Sequence, residues 1–151
     1  DDLDVHAEDI LVLKNIGPKG APGMPEAGYI PIPIKLARAG VKDMVRISDG
    51  RMSGTAFGTI VLHVTPEAAI GGTLAYVQTG DRIRLSVKNR EISLLVSEQE
   101  IQSRKDKHPV KIPTAKRGYL KLFLDTVTQA EQGVDFDFLR ATEKNGKTPR
   151  T

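Results

Sequence analysis

Between Gly17 and Pro33 the chain carries four glycines (Gly17, Gly20, Gly23, Gly28) and five prolines (Pro18, Pro22, Pro25, Pro31, Pro33). Each proline fixes its own φ, removes an amide donor and pushes the preceding residue out of the helical region. The spacing therefore excludes a continuous helix and predicts a rigid, extended loop, which can hold a side chain still. Ile10 to Leu13, just upstream, is an apolar run between the Glu8-Asp9 pair and Asn15-Ile16-Gly17-Pro18. It reads as a buried strand leading into the loop.

A short helix is expected from about Pro33 to Ala39, with proline at its start and Gly40 at its end. Val41 to Ile47 reads as a strand running into the turn Ser48-Asp49-Gly50, and a second polar loop extends to Gly58. Thr59 to Val64 is a β-branched apolar run. Pro66 to Ala69 reads as one helical turn with Thr65 as N-cap, closed by Gly71-Gly72. Leu74 to Val77, Arg82 to Val87 and Glu91 to Val96 read as three strands. In the second of these Ile83, Leu85 and Val87 alternate with Arg84 and Ser86, giving one buried and one wet face.

Ser97 with Glu100 forms a capping-box pattern for a short helix fading through Lys107. Gly118 to Gly133 suits an amphipathic helix, and 142–151 look frayed. Many short strands with small helices between them make a β-rich α/β fold. About six to eight strands, antiparallel or mixed, would form a barrel-like sheet with short flanking helices.

At 151 residues, with 39% hydrophobic and 27% charged residues, one domain with one core is expected. No apolar run approaches the ~20 residues of a membrane helix, so a soluble, cytoplasmic protein with no membrane partner is expected. The net charge of +3 comes from 22 basic residues interleaved with 19 acidic ones, a solvated surface and not a nucleic-acid footprint. With no cysteine, the chain alone builds no disulfide, thiolate nucleophile, zinc-thiolate or iron-sulfur site. It begins at Asp1 without methionine or signal segment, which suggests a piece of something longer.

Two polar loops, Gly17 to Glu26 and Ser48 to Gly58, stand out because each follows a strand and is shaped by glycine or proline. Gly17-Pro18-Lys19-Gly20 lacks the spacing and terminal Lys-Ser/Thr of a phosphate-cradling loop. Glu26 reads either as a surface carboxylate or as a ligand, and Ser53-Gly54 either as a turn or as a site. His63 lies in an apolar run, where a lone histidine is more often a core residue than a general acid. Arg51 has two candidate partners, a substrate carboxylate and the neighbouring Asp49. His6 and His108 sit in polar flanks and carry no expected chemistry.

Three linked segments alter this balance: Asn15 to Glu26, Ile47-Ser48-Asp49-Gly50-Arg51-Met52-Ser53-Gly54, and His63-Val64-Thr65-Pro66-Glu67-Ala68. Together and in this order they resemble the C-terminal part of the dihydroxy-acid and phosphogluconate dehydratase family. The likeness continues through Thr79 to Ile83 and Leu94 to Val96, covering about residues 9 to 104. Pro25 to Pro33 and Gly133 to Leu139 resemble the sugar-acid (pentonate) branch more than the branched-chain amino-acid branch.

The resemblance implies a hydro-lyase that converts a 2,3-dihydroxy acid to a 2-keto acid with a magnesium ion and an iron-sulfur cluster. Both cofactors are held mainly by an N-terminal domain absent from this chain. It implies that residues 1–151 are the C-terminal swivelling β-barrel domain, of a kind also found in the aconitase group. Glu26 would be a magnesium ligand and Ser53 the base that takes the C2 proton. From the residues themselves, Thr55 reads either as a hydrogen-bond partner of substrate hydroxyls or as turn packing, and Arg51 as a contact of the substrate carboxylate or of Asp49. Magnesium favours hard oxygen ligands, and a carboxylate on a stiff loop loses little freedom on binding it. A serine hydroxyl is too weak a base unless magnesium or amide donors of the Gly54-Thr55 turn stabilise its alkoxide. The expected partners are the protein's own N-terminal domain, a dihydroxy or aldonic acid, and further copies in a homo-oligomer. A reading from a different class is a stand-alone, non-catalytic domain that binds a small acid or mediates subunit contacts.

Overall fold

A computed structural model of the chain describes residues 3–140; the expected frayed segment 142–151 lies outside them. Three short strands, β1 (Leu11–Leu13), β2 (Arg46–Ser48) and β3 (Ile60–Val61), form a parallel sheet in sequence order. Leu11 pairs with Arg46, Val12 with Ile47 and Leu13 with Ser48, and Arg46 and Ile47 pair onward with Ile60 and Val61. The central strand β2 is buried along its length, as expected for a parallel strand covered on both faces. Its Ile47 joins Ala68 and Leu74 at the centre of the core, and Ile10, Val12, Val45, Val61, Val64, Val77 and Ile83 pack around them.

The hairpin β4 (Ile83–Ser86) and β5 (Glu91–Leu94) is antiparallel. Opposed pairs Ile83 with Leu94 and Leu85 with Ile92 share one apolar face, while Arg84 with Ser93 and Ser86 with Glu91 share a polar one. Ile83 packs on the core, but Val87 and Ile92 are exposed, so the expected buried face is covered at only one end.

Helix α1 (Ile34–Arg38) follows Pro33 and stops before Gly40, whose φ of 90° only glycine adopts at no cost. Helix α2 (Glu98–Lys107) is capped by Ser97, whose Oγ accepts the Glu100 amide at 3.2 Å. Far from fading, α2 is held by Arg104, which donates to Asp81 at 2.6 and 3.0 Å, to Glu100 at 2.8 Å and to the Tyr76 carbonyl at 2.9 Å. Helix α3 (Gly118–Thr126) is shorter than expected. Val127 leaves it to bridge Phe136, and Thr128 and Asp135 exchange main-chain and hydroxyl bonds. Phe123, Leu124 and Val127 form a second small cluster with Ala115, Val134 and Phe136.

Other sequence expectations change in the folded chain. Leu74 to Val77 is not a strand: Leu74 to Tyr76 belong to a 3-10 turn spanning Thr73–Tyr76, and Val77 follows it. A short apolar run without alternation fits either element, and here the close Gly71-Gly72 turn decides. A Cβ on Gly72 would lie 1.7 Å from the Pro66 carbonyl oxygen. The turn after Pro66 is the 3-10 segment Ala68–Ile70 with Glu67, not Thr65, at its N-cap. Of Val41 to Ile47 only the last two residues enter β2, and of Thr59 to Val64 only Ile60 and Val61 are in a strand. Five strands, in a three-stranded and a two-stranded sheet, are assigned among the described residues, fewer than the six to eight expected. No helix among them is long and apolar enough to cross a membrane.

Candidate active site

Because β1, β2 and β3 are parallel, the loops that leave their carboxyl ends emerge at one sheet edge, the usual ligand edge of open parallel sheets. Those exits are Asn15, Asp49 and the Leu62-His63 segment, and the His63 amide donates to the Gly50 carbonyl at 3.1 Å. Asn15 turns out of β1 with a φ of 67°, a conformation asparagine tolerates better than most residues.

Three buried charged residues fasten the two polar loops. Asp49 accepts the amides of Asn15 and Ile16, each at 3.1 Å, and of Ala68 at 2.9 Å, so one carboxylate joins the ends of β1 and β2 to the turn after β3. Glu67 accepts the Lys19 amide at 2.9 Å, the Gly20 amide at 2.8 Å and the Gln129 side-chain amide at 2.8 Å. Gln129 in turn accepts the Glu67 amide at 3.0 Å. The amides that a phosphate-cradling loop would turn toward a ligand are thus bound to a protein carboxylate, in line with the missing phosphate motif.

Arg46 fastens the far ends of both loops. Its guanidinium donates to the Ile30 carbonyl at 2.8 Å, the Tyr29 hydroxyl at 3.2 Å, the Met44 carbonyl at 3.0 Å and Asp43 at 3.2 Å. It also sits 5.0 Å from the centre of the Tyr29 ring, which stacks on Phe57 of the second loop. Hydrogen bonds from the Thr59 amide foremost, then from the Thr59 hydroxyl, Met44 amide and Arg46, outweigh desolvation and hold the Asp43 carboxyl below its ordinary range.

Between these fastenings the loops are zipped to each other. The Ala27 amide donates to the Arg51 carbonyl at 3.0 Å, the Ser53 amide to the Gly28 carbonyl at 2.8 Å, and Arg51 Nε to the Met24 carbonyl at 2.7 Å. Glu26 and Ser53, 27 positions apart in sequence, are thereby carried on adjoining stretches of backbone. Glu26 is exposed, and its carboxylate has no hydrogen-bond or ion-pair partner among the described residues. Ser53 is half-buried. Its Oγ lies 2.8 Å from Thr55 Oγ1 and accepts the Thr55 amide at 3.3 Å.

Arg51 does not pair with Asp49, whose oxygens are occupied by backbone amides. His63 is not a core residue within a strand: it is exposed, lies beyond β3 and has a φ of 55°. His6 is exposed near Asp4 and Asp9, and His108 caps the end of α2. A cleft of about 1150 Å³ beside β1 and β4 is lined by Asp9, Val12, Lys14, Asp81 and Ile83 among others, and by none of Glu26, Arg51, Ser53 or Thr55.

Among the described residues no three histidine or acidic side chains gather into a metal site. Glu26 fits magnesium as a single hard donor on a braced loop, the other ligands having to come from elsewhere. The iron-sulfur cluster does not fit this chain, which has no thiolate to hold it. The fastening roles of Arg46, Asp49 and Glu67 were missed at the level of sequence. Arg46 carried a signal, since a charge between Val45 and Ile47 in a buried strand must find partners.

Residues 1–134 match the dihydroxy-acid/6-phosphogluconate dehydratase C-terminal family. The chain is 50% identical to the 6-deoxy-6-sulfo-D-gluconate dehydratase of Pseudomonas putida, over 97% of this chain and 25% of that protein. It is 51% identical to the L-arabonate dehydratase of Azospirillum brasilense, over 93% of this chain and 25% of that protein. The dihydroxy-acid dehydratase of Streptococcus suis (strain 05ZYH33) is 41% identical over 92% of this chain and 24% of its own length. The chain spans about a quarter of the curated relatives it matches. With most of its length covered by the family match, the chain belongs to the dihydroxy-acid/6-phosphogluconate dehydratase C-terminal family.

Proposed function

We propose that this chain is the C-terminal, swivelling domain of a hydro-lyase that dehydrates a 2,3-dihydroxy acid, of the sugar-acid class, to a 2-keto acid. It works with an N-terminal domain on the same polypeptide, within a homo-oligomer. The observation that carries the reading is the zipped pair of loops, which brings Glu26 and Ser53 to the same sheet edge and places an amide on the Ser53 hydroxyl. Greater identity to the sulfogluconate and arabonate dehydratases than to the dihydroxy-acid enzyme supports the sugar-acid class.

Ser53 Oγ, as the alkoxide, takes the proton from C2 of the acid while the C3 hydroxyl departs as hydroxide and takes up a proton to become water; the resulting enol loses its C2 hydroxyl proton and gains one at C3, becoming the 2-keto acid. The Thr55 amide and hydroxyl are placed to stabilise charge on Ser53 Oγ, as fixed donors do wherever an oxyanion forms. Glu26, without a protein partner among the described residues, offers a magnesium ion one carboxylate, and the zipped backbone limits what that carboxylate loses on binding. Bound magnesium and an iron-sulfur cluster would supply Lewis-acid stabilisation of the substrate oxygens and the leaving hydroxyl. The two terminal nitrogens of Arg51 have no protein partner among the described residues and are available to the acid's carboxylate.

The test is 2-keto acid formation by the full-length polypeptide against a panel of aldonic acids and a branched-chain dihydroxy acid. Turnover of an aldonic acid is expected. No turnover of any member by protein loaded with metal and cluster would favour the non-catalytic binding or subunit-contact reading.

A further inference from the structure

Resting on the reading of Glu26 as a magnesium ligand, we infer that Arg51 is a positioning residue for that carboxylate, acting through its Nε–H. Arg51 touches the Glu26 segment twice. Its side-chain Nε donates to the Met24 carbonyl at 2.7 Å, and its own carbonyl accepts the Ala27 amide at 3.0 Å. Only Pro25 and Glu26 lie between those two points, so a single residue closes the segment from both ends.

The segment needs such a clasp. Met24 is held at a φ of 44°, in the left-handed region that a side chain disfavours, with its own side chain buried. Pro25 has no amide to contribute. A charge-assisted bond to the Met24 carbonyl is stronger than a neutral one and fixes the peptide that aims Glu26. Ser53, two residues beyond Arg51, donates its amide to the Gly28 carbonyl. The clasp therefore also sets the spacing between the Glu26 and Ser53 backbones. Groups that orient a metal ligand without touching the metal typically account for 10–100-fold in affinity.

The test is calorimetric titration of Mg²⁺ into the full-length polypeptide without substrate, for the wild type and for Glu26→Gln, Arg51→Met, Arg51→Gln and Arg51→Lys. A glutamine places its amide nitrogen where arginine has Nε, so Arg51→Gln restores the donor without the charge. Arg51→Lys keeps the charge but moves the donor one atom outward, and Arg51→Met has no donor. Arg51→Met and Arg51→Lys are expected to bind Mg²⁺ about 10-fold more weakly, and Arg51→Gln within about threefold of wild type.

Wild-type affinity in Arg51→Met alongside weakened Glu26→Gln would overturn the clasp and leave the ligand assignment standing. Equal weakening in Arg51→Gln and Arg51→Met would overturn it as well, since the charge and not the Nε donor would then matter. Unchanged affinity in Glu26→Gln would remove the ligand assignment and the clasp together. If Arg51→Met does not fold, the order of the other two variants decides: tighter binding by Arg51→Gln than Arg51→Lys supports the clasp, and the reverse or equality overturns it.

Discussion

Ser53 and Thr55 present their hydroxyl oxygens to each other at 2.8 Å, with the Thr55 amide 3.3 Å from Ser53 Oγ. A hydroxyl so placed has two donors ready for negative charge without movement of the backbone. In the full-length polypeptide, Ser53→Ala is expected to lower turnover at least ~10²-fold with metal and cluster content unchanged. Thr55→Val keeps the amide and loses only the hydroxyl, so its loss should be nearer ~10-fold. Keto-acid production and exchange of the C2 hydrogen with solvent deuterium, on samples checked for metal, measure both. Near-normal turnover in a fully loaded Ser53→Ala sample would move the base to another residue.

Asp49 spends its carboxylate on three amides from two distant segments. An asparagine in its place can accept through one oxygen only and turns its own N–H₂ toward a backbone donor. Asp49→Asn should therefore cost about 1–3 kcal/mol for each amide left unpaired. Urea unfolding would register this as a lower midpoint with an unchanged slope. A wild-type midpoint would mean that the three amides find other acceptors.

Gly17 and Gly54 make an internal comparison. A Cβ on Gly17 would fall 2.7 Å from Glu67 Oε2, against the carboxylate that holds Lys19 and Gly20, whereas a Cβ on Gly54 would meet nothing within 4 Å. Gly17→Ala is expected to destabilise by about 1–3 kcal/mol through overpacking, and Gly54→Ala to stay within about 0.5 kcal/mol of wild type. Thermal melts of the two variants read the difference directly, and equal melting temperatures would argue against the close packing at Gly17.

Asp81 supplies a pH dependence. Its hydrogen bond from Arg104, foremost, holds the Asp81 carboxyl below the ordinary value of 3.8, and the same contact raises the Arg104 guanidinium. A carboxyl depressed in the folded state contributes stability that is fully present above its unfolded pKa and is lost as pH falls through the lower folded value. The melting temperature should thus hold down to about pH 5 and fall as the solution is taken toward pH 2. Asp81→Asn should melt lower at neutral pH and fall less steeply in acid. A parallel acid profile in the variant would place the acid sensitivity on other carboxylates.

The features legible from sequence were those whose causes lie within a few residues. The Gly17 to Pro33 loop, the Ser97 cap, the Gly40 stop and the two-faced pattern of β4 follow from local dihedral preference, capping and alternation. The linked motifs around Glu26 and Ser53 also sufficed to indicate the family that residues 1–134 match. Leu74 to Val77 reads as a strand but Leu74 to Tyr76 fold into a 3-10 turn, because a short apolar run does not distinguish the two until its neighbours are known. His63 differs from its sequence reading for the same reason, since β3 ends at Val61 and leaves it exposed. The bonds from Asp49 to Asn15, from Glu67 to Lys19 and from Arg51 to Met24 join residues 34, 48 and 27 positions apart. A buried charge must find a partner, but which amide or carbonyl it finds depends on the chain segments that folding places beside it, and short-range sequence patterns carry no record of that distance.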